Sequence, residues 1–109
     1  MIERLSTHVL DTAAGVPAPG VPVTLHDAQG RVLARAVTDA DGRVARLNAD
    51  ALAPGDHRVV LDVEEYLRAT HGTVLHPTIT LHVRLDGARA HHHLPVLLSP
   101  YSYTTYLGS

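Results

Sequence analysis

Two histidines, His91 and His93, stand two positions apart in AHHHLPVLL, a stretch that reads as a strand. Side chains alternate along a strand, so His91 and His93 share one face and His92 takes the other. Imidazoles spaced this way can ligate a metal or act as paired proton carriers near neutral pH. On spacing alone, an exposed edge strand with scattered imidazoles explains the pair as readily. A zinc site would also need a third ligand, such as His8 or a carboxylate. His8 lies between Thr7 and Val9, where a lone histidine is more often a satisfied polar residue than a catalyst. Arg43 follows the turn Asp41-Gly42, a usual place for a solvated hairpin arginine. Tyr101, Tyr103 and Tyr106 suit places where one end of the ring is buried, in a strand or at an interface.

Other chemistries lack their signatures. There is no G-x-S-x-G elbow, no phosphate-cradling glycine loop and no H-E-x-x-H. Asp39, Asp41 and Gly42 bear a partial likeness to a calcium loop, but the later glutamate is missing and a turn explains them better. The chain has no cysteine, which excludes disulfides and thiolate metal sites. Nine Lys or Arg stand against eleven Asp or Glu, a formal charge of -2 that predicts no strong pull toward nucleic acid or an anionic membrane. The nine histidines outnumber the four tyrosines, and Phe and Trp are absent. Protonating those histidines in mild acid would reverse the sign of the surface charge. No apolar run is long enough to span a bilayer. MIERLSTHVL has no basic region followed by an apolar stretch, so the expected compartment is the cytoplasm.

The elements that must hold these residues are short and separated by turn signals. At 109 residues the chain suits one domain, 1–109, with one core. No internal repeat stands out. Strands are expected over Leu5 to Leu10, around Val21, Val23 and Leu25, over Arg31 to Thr38, and from Arg43 to near Leu47. Further strands are expected over Arg58 to Val63, from Pro77 to Leu85, about Arg89 to Leu98, and over Tyr101 to Tyr106. Ala13 to Gly20 reads as a loop, because its prolines and glycines break ladders. Ile79, Leu81, Val83 and Leu85 should point inward, with Thr78, Thr80, His82 and Arg84 outward. Asp86-Gly87 reads as a hairpin turn. Glu64 to Thr70 is the one good helix candidate. Eight strands can close as two packed sheets of four.

Four segments together resemble the 5-hydroxyisourate hydrolases of the transthyretin-like family. They are LSTHVLDTAAGVPA (Leu5 to Ala18), TDADGR (Thr38 to Arg43), GDHRVVLDVEEYL (Gly55 to Leu67) and the tail HHHLPVLLSPYSYTTYLGS (His91 to Ser109). They follow the family order over nearly the whole chain, and the tail is the most specific. The resemblance implies an all-β, transthyretin-like sandwich with one short helix. It implies a homotetramer with active sites at the dimer-dimer interface. It implies hydrolysis of 5-hydroxyisourate to 2-oxo-4-hydroxy-4-carboxy-5-ureidoimidazoline in urate degradation, with no cofactor and no metal.

Carried over position by position, the resemblance assigns catalysis to His8, Arg43 and His93. It assigns substrate binding to His91, Tyr106, Ser109 and the position of Leu107. Two positions depart from the family: Leu107 stands where it has arginine, and His92 where it usually has tyrosine. Hydrolysis needs a base for water and stabilisation of an oxyanion. His8 and His93 are expected to hold and deprotonate the water, Arg43 to offset negative charge, and Tyr106 with the tail to close the pocket. The competing expectation is a non-catalytic transthyretin-like carrier, toward which Leu107 leans, or a diverged enzyme with reduced activity. A metal-dependent hydrolase using His91, His93 and His8 ranks below both.

Overall fold

The computed structural model describes residues 1–109 as two facing β-sheets and one helix. Strand β1 (Arg4–Asp11) lies at the centre of the first sheet. It pairs with β2 (Val16–Pro17) and β5 (Arg43–Val44) on one side and with β8 (His91–Leu98) on the other. The β1–β8 pairing is parallel, and β9 (Tyr103–Thr105) closes the sheet antiparallel to β8. The second sheet runs β4 (Val32–Val37), β3 (Pro22–His26), β6 (Gly55–Asp62) and β7 (Thr78–Leu85), all antiparallel.

The core forms where the two inner faces meet. Leu5 and Val9 of β1 and Val96 and Leu98 of β8 face Val23, Leu25, Val59, Leu61, Ile79 and Leu81 of the other sheet, all buried. Burying each such side chain contributes about 1.5–3 kcal/mol. The expected alternation in β7 holds: Ile79, Leu81 and Leu85 are buried, Val83 is half-buried, and Thr78, Thr80, His82 and Arg84 are exposed. Because β1 also alternates, Leu5, Thr7 and Val9 point inward, which leaves Arg4, Ser6 and His8 on the outer face.

Helix α1 (Glu64–His71) matches the expected element to within a residue. Glu64 and Glu65 in its first turn and Arg68 and His71 in its last complement the helix dipole. Eight residues would not hold a helix alone in water. Leu67 anchors it in the core, and two of its side chains bind one carboxylate on β1: Tyr66 Oη and His71 Nε2 each donate to Asp11 Oδ2 at 2.7 Å.

Three expectations need correction. The sheets hold five and four strands rather than four and four. The extra strand is β2, inside the segment expected to be a loop; Pro17 sits at the sheet edge, where a missing N–H costs nothing. Asp86-Gly87 does not form a hairpin, because β7 and β8 belong to different sheets and the chain crosses between them there. The strand beginning at Arg43 ends at Val44, well before Leu47. No helix is long and apolar enough to cross a membrane.

Candidate functional site

Pairing places the polar residues of β1, β5 and β8 side by side on the outer face of the first sheet. Ser6 is the register partner of His93, and Arg4 of His91. His8 is the partner of Arg43 across β5 and of Pro95 across β8. Period-two alternation then turns Arg4, Ser6, His8, His91 and His93 to the same side. A depression of about 280 Å³ opens here, lined mainly by polar side chains: Arg4, Ser6, Arg43, His91, His93 and Ser109 among them.

A turn fixes Arg43. Asp39 Oδ1 accepts the backbone N–H groups of Asp41 and Arg43, each at 2.9 Å. Gly42 has φ +75°, and a Cβ there would stand 2.4 Å from the carbonyl oxygen of Val9. Only glycine lets this turn lie flat against β1. The Gly42 carbonyl in turn accepts the Val9 N–H at 2.7 Å, and His8 Nε2 donates to the Asp41 carbonyl at 2.8 Å. The guanidinium of Arg43 is left exposed beside the histidines.

Hydrogen bonds link the histidines. Ser6 Oγ lies 2.7 Å from His91 Nε2 and 2.7 Å from His93 Nδ1. Arg4 Nη2 donates to His91 Nδ1 at 3.1 Å. The tail reaches the same place: Gly108 N–H donates to the His93 carbonyl at 2.8 Å. Burial, then the charges of Arg4 and Arg89, hold His91 below the ordinary imidazole range. Burial, then His91 and Arg43, do the same for His93. Both rings are therefore neutral near pH 7, the form that can accept or share a proton.

The structure brings together most, but not all, of the residues expected at the site. Arg43, His91, His93 and Ser109 line one depression, and His8 sits at its edge between Arg43 and Pro95. Tyr106 and Leu107 do not join them within one chain. They are exposed and line a separate groove of about 380 Å³ with Arg84, Asp86, Arg89 and His92. No three His, Asp or Glu side chains converge as metal ligands. Arg4 and Ser6 were missed by the sequence reading. The signal was available, since both lie at even spacing from His8 on a strand whose inner face is apolar.

Two sheets packed face to face, with a histidine and arginine cluster on the outside of one, define a transthyretin-like domain. Comparison with known proteins agrees. Residues 5–108 match the model of the HIUase/Transthyretin family, and the chain belongs to that family. It is 38% identical over 109 residues to the 5-hydroxyisourate hydrolase of Salmonella dublin, covering 96% of this chain and 80% of that protein. The solved 5-hydroxyisourate hydrolase of Klebsiella pneumoniae superposes with a TM-score of 0.87 at 33% identity, covering 97% of this chain and 99% of that one. Transthyretin from Sparus aurata superposes with a TM-score of 0.85 at 28% identity, over 97% of each chain.

Proposed function

We propose that this chain hydrolyses 5-hydroxyisourate to 2-oxo-4-hydroxy-4-carboxy-5-ureidoimidazoline, a step in urate degradation, in the cytoplasm and without a cofactor. The observation that carries the reading is the convergence of Arg43, His91, His93 and Ser109 on one polar depression with His8 at its rim. The reaction adds water across a cyclic C–N acyl bond. Water loses a proton to a histidine, its oxygen bonds to the carbonyl carbon, and the carbonyl oxygen takes up negative charge. Collapse breaks the C–N bond and returns the proton to the leaving nitrogen. His8 and His93 flank the water, and the free guanidinium of Arg43 offsets the oxyanion. His91 and Ser109 contact the heterocycle.

The depression in one chain is shallow for a complete site, and Tyr106 and Leu107 lie elsewhere on the same chain. Both facts fit a homotetramer in which a second copy lays its tail over the first. Small chains often build a walled pocket between symmetric subunits. The carrier reading draws on the likeness to transthyretin, but the polar lining and the unpaired arginine favour hydrolysis over retention of an apolar ligand. Freshly generated 5-hydroxyisourate should disappear faster with the protein than by its spontaneous decay, and equal rates would overturn the reading.

A further inference from the structure

His93 and His8 are held by different kinds of partner, a hydroxyl and a carbonyl, and this fixes where their protons lie. A guanidinium only donates, so Arg4 Nη2 at 3.1 Å leaves His91 Nδ1 without a proton. Neutral His91 must then carry its proton on Nε2 and donate it to Ser6 Oγ. Ser6 is buried, and its hydroxyl has only two neighbours, His91 Nε2 and His93 Nδ1. The first already donates. The hydroxyl proton of Ser6 can therefore go only to His93 Nδ1, because leaving it unpaired would cost about 1–3 kcal/mol. His93 is thereby required to carry its own proton on Nε2. His8 is tied differently. Its Nε2 donates to a carbonyl, Asp41 O at 2.8 Å, so its free lone pair is on Nδ1, which has no partner in the chain.

We propose that Ser6 is a positioning residue that makes His93 a neutral hydrogen-bond donor, and that His8 alone is the base that deprotonates water. This division rests on the hydrolase reading above and sharpens it. Water gives its proton to His8 Nδ1 and bonds to the carbonyl carbon. His93 Nε2–H and Arg43 receive the oxyanion. When the C–N bond breaks, His8 Nδ1–H returns the proton to the leaving nitrogen. A neutral imidazole serves well as such a donor, because its proton stays in place throughout. Arg4 and His91 act through Ser6, at the far end of the same chain of donors.

Long-range proton–nitrogen NMR of the 15N-labelled protein near pH 8 reads the tautomers directly. The expected spectrum has Nε2 protonated and Nδ1 bare in His8, His91 and His93. A proton on His93 Nδ1 overturns the proposal, whatever the activity. In turnover, Ser6→Ala should lower kcat about tenfold with little change in KM, and Ser6→Thr should restore most of it. Glutamine can donate but cannot act as a base, so His93→Gln should retain at least tenfold more kcat than His8→Gln. The reverse order, or an unchanged kcat in Ser6→Ala, contradicts it. A wild type that leaves 5-hydroxyisourate untouched would instead remove the hydrolase reading and leave the tautomer result standing.

Discussion

Gly108 lies so close to the ring of His93 that a methyl group on its Cα would stand 2.7 Å from His93 Cδ2. The tail therefore leaves no room for a side chain beside the imidazole, whose Nδ1 is held by Ser6. Gly108→Ala must push the ring or the tail aside. Misplacement of a reacting group by about 1 Å can cost 10²-fold in rate. We expect kcat to fall tenfold to a hundredfold with the fold intact, checked by turnover beside thermal unfolding. Unchanged kcat would mean that the ring tolerates the shift.

Asp11 joins β1 to the helix. Burial alone would raise its pKa, but the N–H of Ala14, Tyr66 Oη and His71 together hold it below the usual carboxylate value. The same contact, with burial foremost, pushes Tyr66 up to about 12. Because the folded pKa is depressed, Asp11 stabilises the fold above the unfolded value near 3.8, and this is lost as pH falls through the folded pKa. Asp11→Ala should cost about 1–3 kcal/mol in urea unfolding at pH 7, since it leaves two half-buried donors without their acceptor. It should also flatten the acid limb of the stability curve. A loss within 0.5 kcal/mol of zero, as for an ordinary surface change, would contradict this.

How much of this could be read from residues alone depends on whether the cause was local. Alternation in β7 is a local pattern with one buried face, so Ile79, Leu81 and Leu85 were legible. The partnership of Ser6 with His93 needs the parallel register of two strands 87 residues apart in the chain. Strand β2 was hidden because its two residues include a proline, and only the neighbouring β1 makes them a strand. The crossing at Asp86-Gly87 looks like a hairpin turn because a turn is there: Asp86 Oδ1 accepts the Ala88 N–H at 2.9 Å. What differs is the sheet to which the next strand goes. Tyr106 and Leu107 were grouped with the histidines by resemblance, and geometry within one chain separates them.

His92 is the buried member of the histidine run. Its Nε2 accepts the Asp86 N–H at 3.3 Å, and its Nδ1 has no partner. Burial, then the charge of Arg89, lowers its pKa. A histidine that stays neutral when folded binds protons more weakly than the unfolded chain, so stability falls as pH drops below the unfolded value of 6.5. His92→Tyr removes that group. The variant should lose less stability between pH 7.5 and 5.5 than the wild type does, read from denaturant midpoints at the two pH values. Equal losses would show that His92 does not carry the acid sensitivity.

Leu107 is 53% exposed, so exchanging it should leave stability within about 0.5 kcal/mol. If a second copy brings this position to the substrate, Leu107→Arg adds a fixed charge and forked donors that leucine lacks. We expect a lower KM for 5-hydroxyisourate with an unchanged melting temperature. A KM that does not move would place Leu107 outside the substrate contacts.

The most direct test is the spectroscopic decay of freshly made 5-hydroxyisourate with wild type, His8→Ala and His93→Ala at equal concentration. The wild type should outrun spontaneous decay. His8→Ala, folded, should lose about 10²-fold to 10⁴-fold, the contribution of a positioned base; His93→Ala should also fall, through loss of its donor at the oxyanion. Full turnover in folded His8→Ala would contradict histidine-activated hydrolysis at this site.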